Sequence, residues 1–240
     1  ILVNNGAGKH IYVTLQHSKW NGMTPCDLVF PFFLFIMGIS TYLSLKKTNF
    51  TWSRQVAFKI VKRTVLLFLI GLFINWFDMA ISGNALDFSH LRIWAVMQRI
   101  AICYFAVSTF ELCCNHRHTI PAIIILLAAY SLLLIWGNGY AYDREQNILA
   151  QIDIRLFGIE HLYHNSPVDP EGTGSSLSAI AHTLIGFYCG KRMSDAKSTE
   201  EKVLRFLITG GFLVIIGYII SFGLPLNKRI WSPSYVCMTC

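Results

Sequence analysis

The chain has 240 residues, of which 54% are hydrophobic and only 14% are charged, against about 25% charged residues in ordinary soluble domains. Its mean hydropathy is +0.48, and several apolar runs approach the roughly 20 residues that cross a bilayer, so the composition argues against a soluble domain and predicts a multi-pass membrane protein. The net charge of +7 is explained by where Lys and Arg lie relative to the membrane, and it does not indicate a nucleic-acid partner.

The alternation of apolar runs and polar segments predicts an all-α, polytopic transmembrane helix bundle. We interpret residues 1–3 as the end of a span, followed by a turn at 4–9 and an aromatic, amide-rich loop at 10–25. A further span begins at Ser234, so we expect 1–240 to be a single transmembrane domain that is truncated at both ends. Between them we predict six complete spans, at 26–45, 64–77 (continuing a helix begun near Gln55), 93–114, 119–136, 176–190 and 204–222.

The distribution of Lys and Arg predicts the orientation of the bundle. Segment 46–63 carries six of these residues, 191–205 carries five, and the turn at 115–118 is also basic. The positive-inside rule places these three segments in the cytoplasm. The alternating segments are then extracytoplasmic, namely 4–25, 78–92, the long acidic loop 137–175, and 223–233.

Segment 17–38 runs from a polar opening directly into an apolar helix, and His17 is the candidate catalytic residue of this segment. A histidine titrates near neutrality and can serve as a nucleophile or a general base. The alternative is an interfacial histidine bonded to lipid headgroups or loop backbone. The amides of Asn4, Asn5 and Asn21 are candidate donors to an oxyanion, although Asn beside Gly is also typical of turns.

The pair Gln98–Arg99 interrupts the predicted third span. A charged Arg inside a membrane is costly, so it usually faces the bundle interior. One interpretation is an anion partner such as a cofactor phosphate, and the other is a salt bridge to Asp27 or Asp78.

The end of the long loop carries a carboxylate pair, Asp169 and Glu171. The pair could orient the histidine or hold a cationic amine, or it could simply mark the first turn of a helix. His161 and His164 are three residues apart but lack a third ligand, so no metal site is predicted.

Seven sequence blocks together resemble the heparan-α-glucosaminide N-acetyltransferase family. They occur in the family's order over almost the whole chain, as VNNGAGK (3–9), HSKWNGMT (17–24), DLVFP (27–31), VMQRI (96–100), GIEHLY (158–163), DPEG (169–172) and LNKRIWSPSY (226–235). The resemblance implies a polytopic acetyltransferase that takes acetyl from cytoplasmic acetyl-CoA. It delivers the acetyl group across the membrane to the amine of a terminal glucosamine.

The resemblance also implies roles for particular residues. The family's active-site histidine matches His17, and its nearby asparagine best matches Asn4, which would hold the oxyanion. His17 either attacks the thioester to form an acetyl-imidazole or acts as general base on the attacking amine in a ternary complex.

Further contacts to both substrates are expected around these two residues. Acceptor contacts are predicted for Trp20, Asn21, Asp27, Asp169 and Glu171. Acetyl-CoA contacts are predicted for Gln98, Arg99, Asn227 and Lys228.

The 137–175 loop is shorter than in animal lysosomal enzymes and lacks their cysteine-rich insertion, which indicates a bacterial relative. We therefore expect a protein of the bacterial cytoplasmic membrane, or of the lysosomal membrane in an animal. The expected acceptor is heparan or a cell-envelope amino sugar, and a homodimer is a possible assembly. The alternative is a non-enzymatic transporter or flippase for a sugar or acyl carrier. An intramembrane Arg and the Gly210–Gly211 pair also suit transport.

Overall fold

The computed structural model describes residues 12–114, 116–164 and 166–240, and within these ranges it is helical and contains no strand. This confirms the all-α prediction. The eight α-helices are α1 Val29–Lys46, α2 Arg54–Ile81, α3 Val96–Cys113, α4 Thr119–Trp136, α5 Ile148–Phe157, α6 Thr173–Ser194, α7 Thr199–Ser221 and α8 Pro233–Thr239.

Five helical segments of the described chain are long and apolar enough to cross a membrane. They are Pro25–Lys46, Arg54–Ile81, Val96–Cys113, His116–Trp136 and Thr199–Ser221. Five of the six predicted complete spans correspond to these segments. The remaining predicted span, 176–190, lies in α6, which is 22 residues long and is rich in small and polar side chains. The partial span predicted at 1–3 lies outside the described residues.

The predicted loop 137–175 contains a helix that was not expected, α5. The Asn147 side chain caps its first turn by accepting from Leu149 N, and Gly158 ends it with a φ of 77°. Leu149, Ala150 and Asp153 on one face of α5 are buried, and this face packs on the beginning of α6.

Helix α6 forms the centre of the bundle and packs most extensively on α1. Glycines on both helices permit the backbones to approach closely, as is common between membrane helices. A Cβ added to Gly38 would lie 2.7 Å from the Phe187 nitrogen, and one added to Gly186 would lie 3.0 Å from the Phe35 carbonyl carbon. Helices α2 and α7 are peripheral, and each buries only 6% of its most apolar window.

The helix connections meet at two opposite ends of the bundle. At the first end, which we call the His17 end, Gly22 N donates to the Leu226 carbonyl across 2.8 Å. At the second end, the Lys46 end, Lys46 Nζ donates to Ser194 Oγ and the Phe50 and His116 rings lie 4.3 Å apart. Successive connections therefore alternate between the two ends.

Candidate functional site

Asp27 is the buried centre of the His17 end. It lies in a 3-10 turn, Pro25–Leu28, that leads directly into α1. Its Oδ2 accepts hydrogen bonds from Ser18 N, Thr24 N and Thr24 Oγ1, each at 3.1 Å. Three donors on one oxygen fix the carboxylate and leave Oδ1 to face His17.

His17 and Asp27 form an acid–histidine pair. His17 Nδ1 lies 2.7 Å from Asp27 Oδ1, and the side chains are 46% and 0% exposed, respectively. A carboxylate only accepts hydrogen bonds, so this short contact assigns the proton to Nδ1. In the neutral ring the Nε2 lone pair is then free, which is the arrangement required of a nucleophile or a general base.

Lys228 completes this cluster from a segment about two hundred residues away. Its Nζ lies 3.0 Å from His17 Nδ1 and 3.1 Å from Asp27 Oδ1. Because the Nδ1 proton already points at the carboxylate, the ammonium donates to Asp27. The carboxylate is thereby paired with a cation as well as with the imidazole.

The loop that carries Lys228 is held in place by Asn227, which is fully buried. Asn227 Oδ1 accepts from Arg229 N at 2.8 Å and from Ile230 N at 3.2 Å, and Nδ2 donates to Asn21 Oδ1 at 3.2 Å. The side chain therefore shapes the loop and ties it to the segment that bears His17.

Tyr235, in the first turn of α8, fixes the opening of α1. In α-helical register the carbonyl of Asp27 would accept from the amide of residue 31, but residue 31 is Pro and has no N–H. The Tyr235 hydroxyl donates to that carbonyl instead, at 2.5 Å. The proline thus creates the acceptor through which α8 holds the turn containing Asp27.

Cys26 is a neighbour of His17 that sequence reasoning missed. Its Sγ lies 3.2 Å from Nδ1 and 3.7 Å from Nε2 of His17, and the residue is 2% exposed. Its position immediately before Asp27 was the only available signal. Burial leaves the thiol as a packing group against the imidazole.

Arg99 is fully buried in the first turn of α3. Its Nη2 donates to the Gly172 carbonyl at 3.0 Å and to Ser175 Oγ, and its guanidinium lies 5.1 Å from the Trp231 ring centroid. The alternative of a salt bridge to Asp27 or Asp78 is wrong, because no ion pair of Arg99 occurs within the described ranges. Trp231 takes the place expected for a carboxylate.

Gln98, the neighbour of Arg99, is also fully buried, but it faces α2. A Cβ added to Gly71 would lie 2.5 Å from Gln98 Oε1. The two polar residues of the third span therefore serve different interfaces.

The predicted carboxylate pair is already bound to Arg92, which the sequence did not single out. Arg92 Nη2 lies 2.8 Å from Asp169 Oδ1 and 2.8 Å from Glu171 Oε2. Asp169 also accepts from the Tyr163 and Glu171 backbone amides. Although burial lowers the pKa of Arg92, the two carboxylates raise it above its ordinary value.

Asp153 is a further buried acid at this end, beneath the first turn of α6. Its Oδ1 accepts from Thr173 N at 2.8 Å. Burial raises its pKa to about 6, despite that hydrogen bond and despite nearby Arg99.

The remaining predicted acceptor residues lie at the same end. Trp20 Nε1 donates to the Tyr140 carbonyl at 3.0 Å, and the ring meets the exposed Tyr142 edge-on at 5.2 Å.

Asn4 lies outside the described residues. No cluster of three or more metal-ligating side chains occurs in the described part of the chain. His161 Nδ1 instead lies 2.7 Å from the Leu91 carbonyl.

The fold and this cluster define a polytopic α-helical protein with an oriented histidine at one end of the bundle. Comparison with known proteins specifies its relatives and confirms the resemblance described above. The chain is 29% identical to heparan-alpha-glucosaminide N-acetyltransferase of Mus musculus and 28% identical to that of Homo sapiens, over 98% of this chain and 44% of each relative. The chain thus spans less than half the length of these relatives. Residues 16–84 also match a domain of unknown function, DUF5009.

Proposed function

We propose that this chain forms the catalytic part of a membrane acetyltransferase. It takes acetyl from cytoplasmic acetyl-CoA and delivers it to the amine of a terminal glucosamine, or of a related amino sugar, on the non-cytoplasmic face. The observation that carries the proposal is the 2.7 Å contact from His17 Nδ1 to a buried Asp27, which assigns the proton to Nδ1 and the lone pair to Nε2. The names of the curated relatives support the same reaction.

His17 supplies the reactive nitrogen in either of two routes. As a nucleophile, Nε2 forms a bond to the acetyl carbon while the thioester C–S bond breaks and the CoA thiolate leaves. The acceptor amine then attacks, the acetyl–Nε2 bond breaks, and the ammonium's proton passes to solvent. As a general base, Nε2 instead takes a proton from the amine while the amine nitrogen bonds to the acetyl carbon, the thioester C–S bond breaks and the CoA thiolate leaves.

Asp27 has a role in this proposal that differs from the acceptor contact predicted at first. It holds the imidazole in the tautomer with a free Nε2 and stabilises the positive charge that develops on the ring. Lys228 is assigned to Asp27 in place of the cofactor, because its Nζ lies 3.1 Å from Oδ1. Asn4 remains the proposed oxyanion donor through the resemblance alone.

The acceptor contacts are assigned to Trp20 and Asn21, which accompany His17 on the same segment. Asp169 and Glu171 are assigned a supporting role, since both already form ion pairs with Arg92. Arg99 lies at the His17 end, so a cofactor entering from the Lys46 end would meet it with its acyl-bearing arm and not with its phosphates. Gln98 and Asn227 then act by positioning their neighbours.

The orientation and location of the protein are part of the proposal. The Lys46 end carries the basic segments and faces the cytoplasm, and the His17 end faces out. We assign the bacterial cytoplasmic membrane, with acetyl-CoA and an amino-sugar glycan as partners and a homodimer as a possible assembly.

Incubation of purified full-length protein with radiolabelled acetyl-CoA, without acceptor, tests the proposal. Label retained on the protein and lost in His17→Ala supports the nucleophile, whereas acetyl transfer without retained label supports the general base. His90→Ala is a matched control, because its Nδ1 also lies 2.7 Å from an aspartate, Asp87, at the same end. The proposal fails if acetyl transfer survives in His17→Ala, or if the protein moves its substrate across the membrane without acetyl-CoA.

A further inference from the structure

Four of the fully buried side chains whose polar atoms lack hydrogen-bond partners among the described residues lie close together in the bundle interior. We call them the polar core cluster, and they are Arg99, Ser178, His182 and Trp231. The unpartnered atoms are Arg99 Nε and Nη1, Ser178 Oγ, both ring nitrogens of His182, and Trp231 Nε1. The Pro31 carbonyl lies near the His182 ring, but neither nitrogen makes a hydrogen bond of ordinary geometry.

The members of the cluster are contiguous. The Trp231 ring centroid lies 5.1 Å from the Arg99 guanidinium and 5.9 Å from the His182 ring. Ser178 is four residues before His182 on α6, which places both on one face of the helix. Ser175, whose hydroxyl contacts Arg99, is three residues before Ser178 on the same face.

Unsatisfied polar groups are costly in an apolar interior, and a buried charge is more costly still. Here several such groups are concentrated around the Trp231 side chain. Five of the six unpartnered atoms carry a proton to donate or share, and the guanidinium is positive, so the cluster needs hydrogen-bond acceptors. The rings of Phe30 and Phe35 that adjoin Trp231 and His182 add an apolar wall.

The position of the cluster restricts the ligand. His182 lies nine residues into α6 from Thr173, or about 14 Å along the helix axis, and so lies between the two ends of the bundle. Trp231 follows Lys228, the neighbour of His17, by three residues. A ligand that runs from the Lys46 end to His17 would therefore pass the cluster before its tip meets the imidazole.

We propose that the polar core cluster is a subsite for the pantetheine arm of an acyl-CoA, an inference that rests on the proposed acetyl transfer. The arm is narrow and uncharged, and its two amide carbonyls and its thioester carbonyl supply the acceptors that the cluster lacks. Its methylene groups suit the aromatic wall. Arg99 and His182 bind the carbonyl oxygens, and Ser178 bonds to an amide.

The backbone of Trp231 independently marks this position. Its φ is +53°, in the left-handed region that bulky side chains rarely adopt. Such conformations persist where the surroundings hold them, and they are concentrated at ligand-binding and switching sites. In the proposed subsite the Trp231 side chain fills the space between Arg99 and His182 until the arm displaces it.

Binding of the two halves of CoA to the full-length protein in detergent tests the proposal. The probes are radiolabelled acetyl-pantetheine and adenosine 3′,5′-bisphosphate, measured by equilibrium dialysis. His182→Phe and Ser178→Ala each remove unpartnered polar atoms, and we expect each to weaken acetyl-pantetheine binding about tenfold and to leave the affinity for the bisphosphate unchanged. Ser131→Ala is the matched control, because its hydroxyl bonds within α4 to the Leu127 carbonyl.

Three results would overturn the subsite. The first is no binding of acetyl-pantetheine by the unsubstituted protein. The second is unchanged binding in both cluster variants, which would leave water as the only occupant. The third is an equal loss of bisphosphate affinity in variants that elute from size exclusion like the unsubstituted protein, which would show that the cluster does not act on the arm specifically. The outcome is separable from that of the proposed function. Cluster-dependent binding without acetyl transfer contradicts only the transferase, and acetyl transfer with unaltered binding in the variants contradicts only the subsite.

Discussion

The substitution Asp27→Asn tests whether the carboxylate, and not merely a polar group, makes His17 reactive. Three donors approach Oδ2 at 3.1 Å, so the asparagine oxygen must take that position. Its NH₂ group then faces His17 Nδ1 and donates to it. The imidazole is driven to the tautomer that carries its proton on Nε2, and the lone pair required for chemistry is lost.

The size of the effect follows from two contributions. A carboxylate and an imidazolium with charge centres about 4 Å apart attract by about 4 kcal/mol at an effective dielectric constant of about 20. Because His17 is 46% exposed, we take about half of that value, or roughly 2 kcal/mol, in line with the weakening of exposed ion pairs. The hydrogen bond that favours the wrong tautomer adds about 1–2 kcal/mol. Together they predict a loss of about 10²–10³-fold in kcat.

Initial rates of acetyl transfer from labelled acetyl-CoA measure this loss, with Asp87→Asn as the control on the second Asp–His pair. A size-exclusion profile like that of the unsubstituted protein shows that the fold survives. If Asp27→Asn keeps more than a tenth of the rate, the orientation argument is wrong.

Three further substitutions test the packing around the site, each by thermal unfolding in detergent. Asp153→Asn should raise the melting temperature at pH 8 and have little effect at pH 4. Folding raises the pKa of Asp153 from 3.8 to about 6. The ionised carboxylate therefore destabilises the folded state above pH 6, by up to about 3 kcal/mol. A gain at pH 4 as large as that at pH 8 would contradict this. Arg92→Gln should cost about 3 kcal/mol, because it leaves a buried Asp169 without its cation, and an unchanged melting temperature would exclude that pairing. Gly186→Leu should prevent stable folding, since α1 backbone occupies the space of its side chain, and a normally folded variant would refute the close contact.

Hydropathy revealed most of the helices because lipid leaves a chain few alternatives to apolar helices. Its signal is weaker where protein, not lipid, surrounds the helix. Helix α6 is buried on nearly all sides, so it carries Ser, Gly and His where a peripheral span such as α7 carries Leu, Ile and Phe. Helix α5 was missed because ten residues with one apolar face are too few to separate from a loop by composition.

The site was less accessible to sequence reasoning than the fold. His17 and Asp27 were both noted, and ten residues of separation gave no sign that they touch. The approach of Lys228 and of the Tyr235 hydroxyl depends on helix packing across more than two hundred residues. The replacement of a carboxylate by Trp231 beside Arg99 was equally hidden, because cation–π partners have no fixed spacing.

The two histidine–aspartate pairs at the His17 end show why contact distance alone does not define a reactive histidine. In both, Nδ1 lies 2.7 Å from an aspartate oxygen. His90 also has Nε2 at 3.2 Å from Glu160 Oε2, so both nitrogens face carboxylates, and Asp87 raises its pKa. The two carboxylates favour the protonated ring, in which Nε2 carries a proton and offers no lone pair. Asp27 is fully buried and accepts hydrogen bonds from Ser18 N and Thr24 N, whereas Asp87 is 40% exposed and accepts one from Ser89 Oγ. Burial of the acid, and a second ring nitrogen that faces the Cys26 thiol and not a second carboxylate, distinguish His17 from His90.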